Sequence, residues 1–303
     1  MQVGIVGLGR MGGNIARRLC RAGIHVVGYD ANPAMAEPLA GEPGFQPAFS
    51  IDAMLLALKG PRIVWCMLPA GAETARLLDH LAATLAQGDR VVDGANGHYR
   101  VTMARAPRFA ELGIGFVDAG VSGGVRGLES GYSLMLGGAQ KDIDALWRVL
   151  EALAPRPGQW LRCGPTGAGH YVKMIHNGVE YGLMQAYAEG FALLEGHPDF
   201  DLDLDAIAAT WMQGSVVRSW LLELSREFLG DAEALQAAAP VVADSGEGRW
   251  TAQEAIDRGI PAPVITTALM QRFSSQGRDD FAARVLALMR NRFGGHAIPK
   301  EKS

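Results

Sequence analysis

The chain has 303 residues, 49% hydrophobic and 20% charged, with a formal net charge of −4. That length supports two domains and a sizeable core, and the acidic balance provides no basic field for nucleic acid. No run of 18 apolar residues exists to span a membrane, so none is expected to be crossed.

Cys20, Cys66 and Cys163 are odd in number and lack metal-pair spacing, which predicts reduced core thiols, a cytoplasmic setting and no metal site. The apolar start has no basic leader and meets Arg10 early, so it reads as a first strand, not a signal peptide.

Val3-Gly4-Ile5-Val6 is a β-rich run, and Gly7-Leu8-Gly9-Arg10-Met11-Gly12 follows it at once. Residues 14–22 read as a helix, so the G-x-G-x-x-G lies between a strand and a helix. In that setting Gly7 permits the tight turn, Gly9 admits a pyrophosphate to the backbone, and Gly12 lets the helix pack on the strand. A second strand at 25–29 ends at Asp30, 18 residues after Gly12. A carboxylate there binds the ribose hydroxyls of NAD and repels the extra phosphate of NADP, with Asn32 as a second ribose contact. The expected cofactor is therefore NAD, with NADP disfavoured.

Further strands are expected at 63–68, 90–93, 115–118, 133–136 and 160–163, with helices at 73–86 and 99–112. Apolar strands alternating with amphipathic helices indicate a parallel sheet covered on both faces, with ligands beyond the carboxyl ends of its strands. Met67, Leu68 and Asn96 fall at those ends, as do Ser122, Gly123 and Gly124, whose hydroxyl and backbone N–H groups suit a carboxylate or hydroxyls. Plain turn chemistry is the alternative for the glycines.

Beyond Cys163 the strand pattern stops. The expected organisation is α/β: a Rossmann-type doubly wound domain over 1–164, a hinge-like linker at 164–169, and an all-helical domain within 165–303. Helices are expected at 170–195, 203–212, 215–228, 231–243, 251–258, 262–273 and 279–293, with a glycine-rich loop at 245–250. No proline occurs between Gly169 and Pro198, so the first of these is long. Lys173, His176, Asn177, Glu180 and Tyr181 stand at i, i+3, i+4, i+7 and i+8 and share one face. Burying such groups without partners costs several kcal/mol, so they pair with one another or meet a polar ligand. Arg272, Arg290 and His296 form a candidate phosphate-binding set.

With these residues placed, the chain resembles the 6-phosphogluconate dehydrogenase family in a short, single-repeat form, within the wider β-hydroxyacid dehydrogenase group. Asp93-Gly94-Ala95-Asn96-Gly97-His98-Tyr99 is similar to the family's D-G-G-N-S segment. Lys173-Met174-Ile175-His176-Asn177-Gly178-Val179-Glu180-Tyr181 is similar to its K-M-V-H-N-G-I-E-Y helix, and Gly246-Glu247-Gly248-Arg249-Trp250-Thr251 to its G-T-G-K-W-T loop. The resemblance implies that Asn96, Ser122, Gly123, Gly124, His176 and Asn177 hold a sugar-acid phosphate. It implies proton transfers by Lys173 and Glu180, and a phosphate site at Tyr181 and Arg272. Arg290 and His296 lie in a tail similar to R-x-x-F-G-x-H, which implies a homo-oligomer, at least a dimer, whose tail reaches the partner's site. The loop lacks the extra lysine of the long form, which throws phosphate binding onto the arginines.

The implied reaction is oxidative decarboxylation of 6-phosphogluconate. Lys173 is the expected base, its ordinary pKa of about 10.4 brought down by a low-dielectric cleft. Two alternatives remain at this stage: another β-hydroxyacid dehydrogenase, such as one acting on 3-hydroxyisobutyrate, and a non-catalytic dinucleotide-binding subunit.

Overall fold

The computed structural model describes residues 1–294, and its first half is built on one eight-stranded sheet in the order β3-β2-β1-β4-β5-β6-β7-β8. The strands are β1 (Gln2–Val6), β2 (His25–Tyr29), β3 (Phe45–Pro47), β4 (Ile63–Cys66), β5 (Arg90–Asp93), β6 (Gly115–Ser122), β7 (Ser133–Gly137) and β8 (Trp160–Gly164). Six of the seven pairings are parallel, but β7 runs antiparallel to β6, pairing Ser133 with Ser122 and Gly137 with Asp118. The expected wholly parallel sheet is therefore corrected at one junction. Only a short connection, Gly123 to Tyr132, links β6 and β7, too little for a helical crossover. The strand expected to end at 118 continues to Ser122, so Asp118 is an interior strand residue and not a strand terminus.

The helices in this half are α1 (Arg10–Arg21), α2 (Ile51–Ala57), α3 (Ala72–Thr84), α4 (Tyr99–Glu111), α5 (Gly127–Ser130), α6 (Gln140–Ala145) and α7 (Trp147–Leu153). Strand periodicity divides the core between the two faces of the sheet. Val3, Ile5, Trp65, Val92 and Val117 pack with Ile15 and Leu19 of α1 and Leu150 of α7. Val6, Val64, Val91 and Phe116 pack with Met54 of α2, Leu78 of α3 and Phe109 of α4.

The chain divides into two compact units, Met1–Ile175 and the residues from His176 on. The boundary falls inside α8 (Ala168–Glu195), an unbroken helix of 28 residues. The remaining helices are α9 (Leu204–Met212), α10 (Trp220–Leu229), α11 (Ala232–Ala237), α12 (Glu247–Arg258), α13 (Pro263–Ser275) and α14 (Asp280–Gly294). Side-chain caps set several starts: Asp203 accepts from the Ala206 N–H, Ser219 from Leu222 and Asp231 from Ala234. The Ser219 cap moves the helix expected from 215 to Trp220. The helix expected at 231–243 stops at Ala237, where Ala238 is extended and Pro240 forbids continuation. Conversely, residues 247–250, expected as loop, form the first turn of α12.

Candidate active site

The glycine loop is shaped by what cannot fit there. Gly7 has φ of 91°, and a Cβ on it would stand 2.6 Å from the Met67 carbonyl oxygen. A Cβ on Gly12 would overlap the Gly7 carbonyl oxygen, so only glycine lets α1 start this close to β1. A Cβ on Gly9 would meet nothing within 4 Å: that side of the turn is open. The helix begins at Arg10, four residues earlier than expected, so Arg10, Met11 and Gly12 form its first turn, whose N–H groups have no intrahelical acceptor and suit an anion.

Asp30 completes the turn. Its carboxylate accepts from the Leu8 N–H at 2.7 Å and the Asn32 N–H at 2.8 Å, and Asn32 in turn caps the short 3-10 turn Pro33–Met35. Leu8, Gly9, Arg10, Gly13, Asn14, Arg17, Met35, Pro38, Leu39 and Val125 line a 230 Å³ cleft beside that turn. An open-sided glycine, a helix N-terminus and an acid at the end of β2 fit a dinucleotide. Met67 follows β4, donates its N–H to the Val6 carbonyl at 2.8 Å, and accepts from Trp65 Nε1 at its sulfur; Leu68 is next to it. A larger cleft of 590 Å³ lies at the amino ends of β1, β2, β4 and β5, by Gln2, Lys59 and Arg90, and contains none of these residues.

Asn96 is the one non-glycine residue with positive φ, at 51°, among the described residues. Such backbones persist where surrounding bonds over-determine them. Here the Asn96 Oδ1 accepts from the Val121 N–H at 3.1 Å, which ties the loop after β5 to the end of β6. Ser122 closes β6, and Gly123 and Gly124 follow with φ of 128° and 54°. Lys173 is 5% exposed, and its Cβ rests over Gly120, where any side chain would overlap it. Asn96, Ser122, Gly123 and Lys173 thus gather at the carboxyl ends of β5 and β6.

Four residues that place Lys173 are absent from the sequence-based set: Asp118, Gly120, Gly169 and His170. Asp118 is 0% exposed and accepts from the Gly167 N–H at 2.6 Å and the His170 N–H at 2.7 Å. A Cβ on Gly169 would meet the carbonyls of Met135 and Asp118. The available signal was spacing: a glycine two residues after a buried acid on β6 and a glycine four before the lysine.

On the second unit's part of α8, His176 Nδ1 lies 3.1 Å from Asn177 Oδ1 and 3.7 Å from Glu180 Oε2. The pairing alternative raised by the sequence is thus partly realised, between His176 and Glu180. The Glu180 side chain is 41% exposed, open to solvent where Lys173 is not. Tyr181 is buried, and its hydroxyl sits 3.1 Å from Ser245 Oγ and donates to Asp244 at 3.4 Å. A Cβ on Gly248 would overlap the Tyr181 ring, which explains a glycine in the first turn of α12.

The Arg272 guanidinium stacks on the Tyr181 ring at 3.4 Å and donates to the Ala243 carbonyl at 2.7 Å. Burial pushes the Asp244 carboxyl up. Hydrogen bonds from Arg249, the Gly246 N–H and Tyr181, with the Arg249 charge, outweigh this and hold it below the usual aspartate value. Arg290 is exposed on α14, and His296 lies outside the described residues. Among the described residues, no cluster of three His, Cys, Asp or Glu is arranged for a metal ion, and no helix is long and apolar enough to cross a membrane. All three cysteines are free thiols.

Residues 2–164 match the NAD binding domain of 6-phosphogluconate dehydrogenase, and residues 169–297 match the 6-phosphogluconate dehydrogenase C-terminal domain. The chain is 42% identical to the NAD(+)-dependent, decarboxylating 6-phosphogluconate dehydrogenase of Haloferax volcanii, over 99% of both chains. Its fold resembles that of the Plasmodium falciparum 6-phosphogluconate dehydrogenase with a TM-score of 0.85 and 25% identity, covering 100% of this chain and 67% of that one. A 3-hydroxyisobutyrate dehydrogenase from Salmonella typhimurium gives a TM-score of 0.76 at 26% identity, covering 92% of this chain and 95% of that one.

Proposed function

Because the chain belongs to the 6-phosphogluconate dehydrogenase family, we propose that it oxidatively decarboxylates 6-phosphogluconate to ribulose 5-phosphate and carbon dioxide with NAD. The observation that carries this reading is α8. One helix holds a buried lysine at Lys173 and, seven residues or about 10 Å along its axis, a half-buried carboxyl at Glu180. Two proton-transfer groups at that separation serve two carbons of one extended substrate.

NAD, when bound, supplies the hydride acceptor. The N–H groups of Gly9 to Gly12 would hold its pyrophosphate with Leu8 lining the cleft beside them, Asp30 and Asn32 would hold the ribose, and Met67, Leu68 and Asn96 would border the nicotinamide side. Asn96, Ser122, Gly123, Gly124, His176 and Asn177 orient the sugar acid. Neutral Lys173 takes the proton from the C3 hydroxyl as the C3–H bond breaks. The 3-keto acid so formed carries its carboxylate β to the ketone. As carbon dioxide leaves, protonated Lys173 returns its proton to the ketone oxygen and stabilises the enediol. Glu180 then protonates the former C2, which becomes C1 of the ketose, while Lys173 takes the proton back from the hydroxyl on the former C3 and the ketone re-forms. Tyr181 and Arg272 meet the phosphate; their stacked pair holds the guanidinium in one plane, which suits a phosphate's oxygens.

The assembly is at least a dimer in this reading, with the segment that carries Arg290 completing the partner's site. Phe281, Val285, Leu288 and Met289 form an i, i+4, i+7, i+8 stripe on α14 and are all exposed in the single chain. A 15-residue helix with an uncovered apolar face is marginal in water, and a second copy would bury it. Free thiols at Cys20, Cys66 and Cys163 agree with a cytoplasmic setting. In this reading the two domains meet at 164/165, eleven residues before the division between the compact units at Ile175.

Initial rates of reduced-nicotinamide formation with 6-phosphogluconate test the reading. Turnover with NAD well above NADP is the expected result. Silence with both cofactors, together with turnover of 3-hydroxyisobutyrate, overturns it.

A further inference from the structure

We propose that Asp118 and His170 are positioning residues that hold the first turns of α8, and so the Lys173 amine, in register with the Asn96 loop. The proposal rests on the reading of Lys173 as the base. Both residues are buried and titratable, and neither has a part in the proton transfers.

Asp118 works on the helix. Its two oxygens take the Gly167 N–H and the His170 N–H, two of the donors that a helix N-terminus leaves without intrahelical acceptors. A carboxylate fully removed from water is tolerable there because charge-assisted bonds and the helix dipole compensate it. Each oxygen takes one N–H, so the carboxylate holds the helix start at two points three residues apart. Lys173 stands three residues beyond His170, on the same side of the helix.

His170 works on the loop. Its Nε2 lies 3.0 Å from the Asp93 carbonyl oxygen and its Nδ1 2.8 Å from Thr102 Oγ1. A carbonyl only accepts, so Nε2 carries the hydrogen and Nδ1 accepts from the hydroxyl. Asp93 ends β5, and Asn96 follows three residues later. Asn96 holds the Val121 N–H, Val121 adjoins Gly120, and Lys173 rests on Gly120. The contacts therefore close a ring: Asp93 to Asn96, Asn96 to β6, β6 to Lys173, and α8 back to Asp93 through His170. Asp118 fastens the same helix turn to the same strand. Slack at either residue would let the amine drift from the hydroxyl it must meet, and near-attack geometry is sensitive to shifts of about 1 Å.

The test uses Asp118→Asn, His170→Gln and His170→Ala in the full chain, with Lys173→Met alongside. An asparagine keeps the shape of Asp118 but has one accepting oxygen for two N–H donors. A glutamine amide nitrogen reaches roughly the place of Nε2 and keeps the bond to Asp93; alanine loses it. For Asp118→Asn we expect kcat to fall at least tenfold, while KM for 6-phosphogluconate and the NADH dissociation constant stay within threefold. The isotope effect on kcat with substrate deuterated at C3 should rise, because hydride transfer becomes slower. His170→Gln should recover most of the kcat that His170→Ala loses.

A folded Asp118→Asn enzyme with kcat within twofold of the parent overturns the proposal. So does a loss in which kcat, KM and NADH binding deteriorate together at constant isotope effect, since that is general loosening. If Asp118→Asn does not fold, the His170 pair decides, and glutamine no better than alanine overturns it. An active Lys173→Met removes the underlying base assignment and the proposal with it. An inactive Lys173→Met beside unimpaired Asp118→Asn and His170→Ala removes the positioning proposal alone.

Discussion

At the scale of single residues, Asp30 does two things that an isolated motif would not separate. It is a ribose-binding carboxylate by position, and it holds the glycine turn by accepting the Leu8 N–H. Asp30→Asn keeps an oxygen for that bond and removes the charge that repels a 2′-phosphate. We expect the ratio of kcat/KM for NAD over NADP to drop at least tenfold, about 1.4 kcal/mol, with little change in thermal midpoint. An unchanged ratio in steady-state kinetics would discard Asp30 as the cofactor discriminator. Gly12 is stricter. A methyl group there collides with the Gly7 carbonyl oxygen, which is backbone and has no rotamer to escape into. Gly12→Ala should cost about 1–3 kcal/mol of stability and abolish NADH binding in a fluorescence titration. These residues were legible because their chemistry is local: turn, helix start and acid lie within 30 residues of the N-terminus. Asp118 and His170 were not, since their partners are 49 to 77 residues away in sequence and become neighbours only when β5, β6 and α8 pack.

At the scale of elements, α8 was readable from its composition because a helix aligns residues at fixed spacing whatever surrounds it. The reversed direction of β7 was not, because an apolar strand reads the same either way along a sheet. The first turn of α12 was hidden by its glycines. Gly246 has φ of 103° and does end the loop, while Gly248 is helical and is small only to admit the Tyr181 ring. That turn carries a pH dependence. The folded Asp244 carboxyl titrates below its unfolded value, so the unfolded chain binds more protons in that window and stability rises with pH. The contribution is fully present above about pH 4, the ordinary aspartate value. It is lost as pH falls through the lower folded value. Asp244→Asn should therefore show a thermal midpoint that falls less steeply than the parent's below pH 4. Parallel curves for parent and variant, followed by circular dichroism, would remove Asp244 from the acid response.

At the scale of the whole molecule, the two units differ in how much core they own. The first buries two continuous clusters on opposite faces of its sheet. Among the described residues, the second buries the apolar side chains of Tyr181, Ala252, Ala268 and Leu269 in one cluster and of Phe191, Ala208 and Leu222 in another. It leaves Val179, Leu183, Leu193, Ile256, Val264 and the α14 stripe open to water. Seven buried apolar side chains are a thin core for so many helices, so association with a second copy is the expected source of the missing burial. Sedimentation equilibrium should return twice the 32.3 kDa chain mass. The double substitution Phe281→Asp with Met289→Asp places two charges on the α14 stripe and should return the single-chain mass. It should also lose turnover of 6-phosphogluconate, because the tail that carries Arg290 would no longer be presented to a partner. NADH binding should survive, because Gly7, Gly9, Gly12, Asp30 and the cleft beside them all belong to the first unit. A parent protein that sediments as a single chain and turns over at full rate would remove the partner's tail from the site and leave the α14 stripe without an occupant.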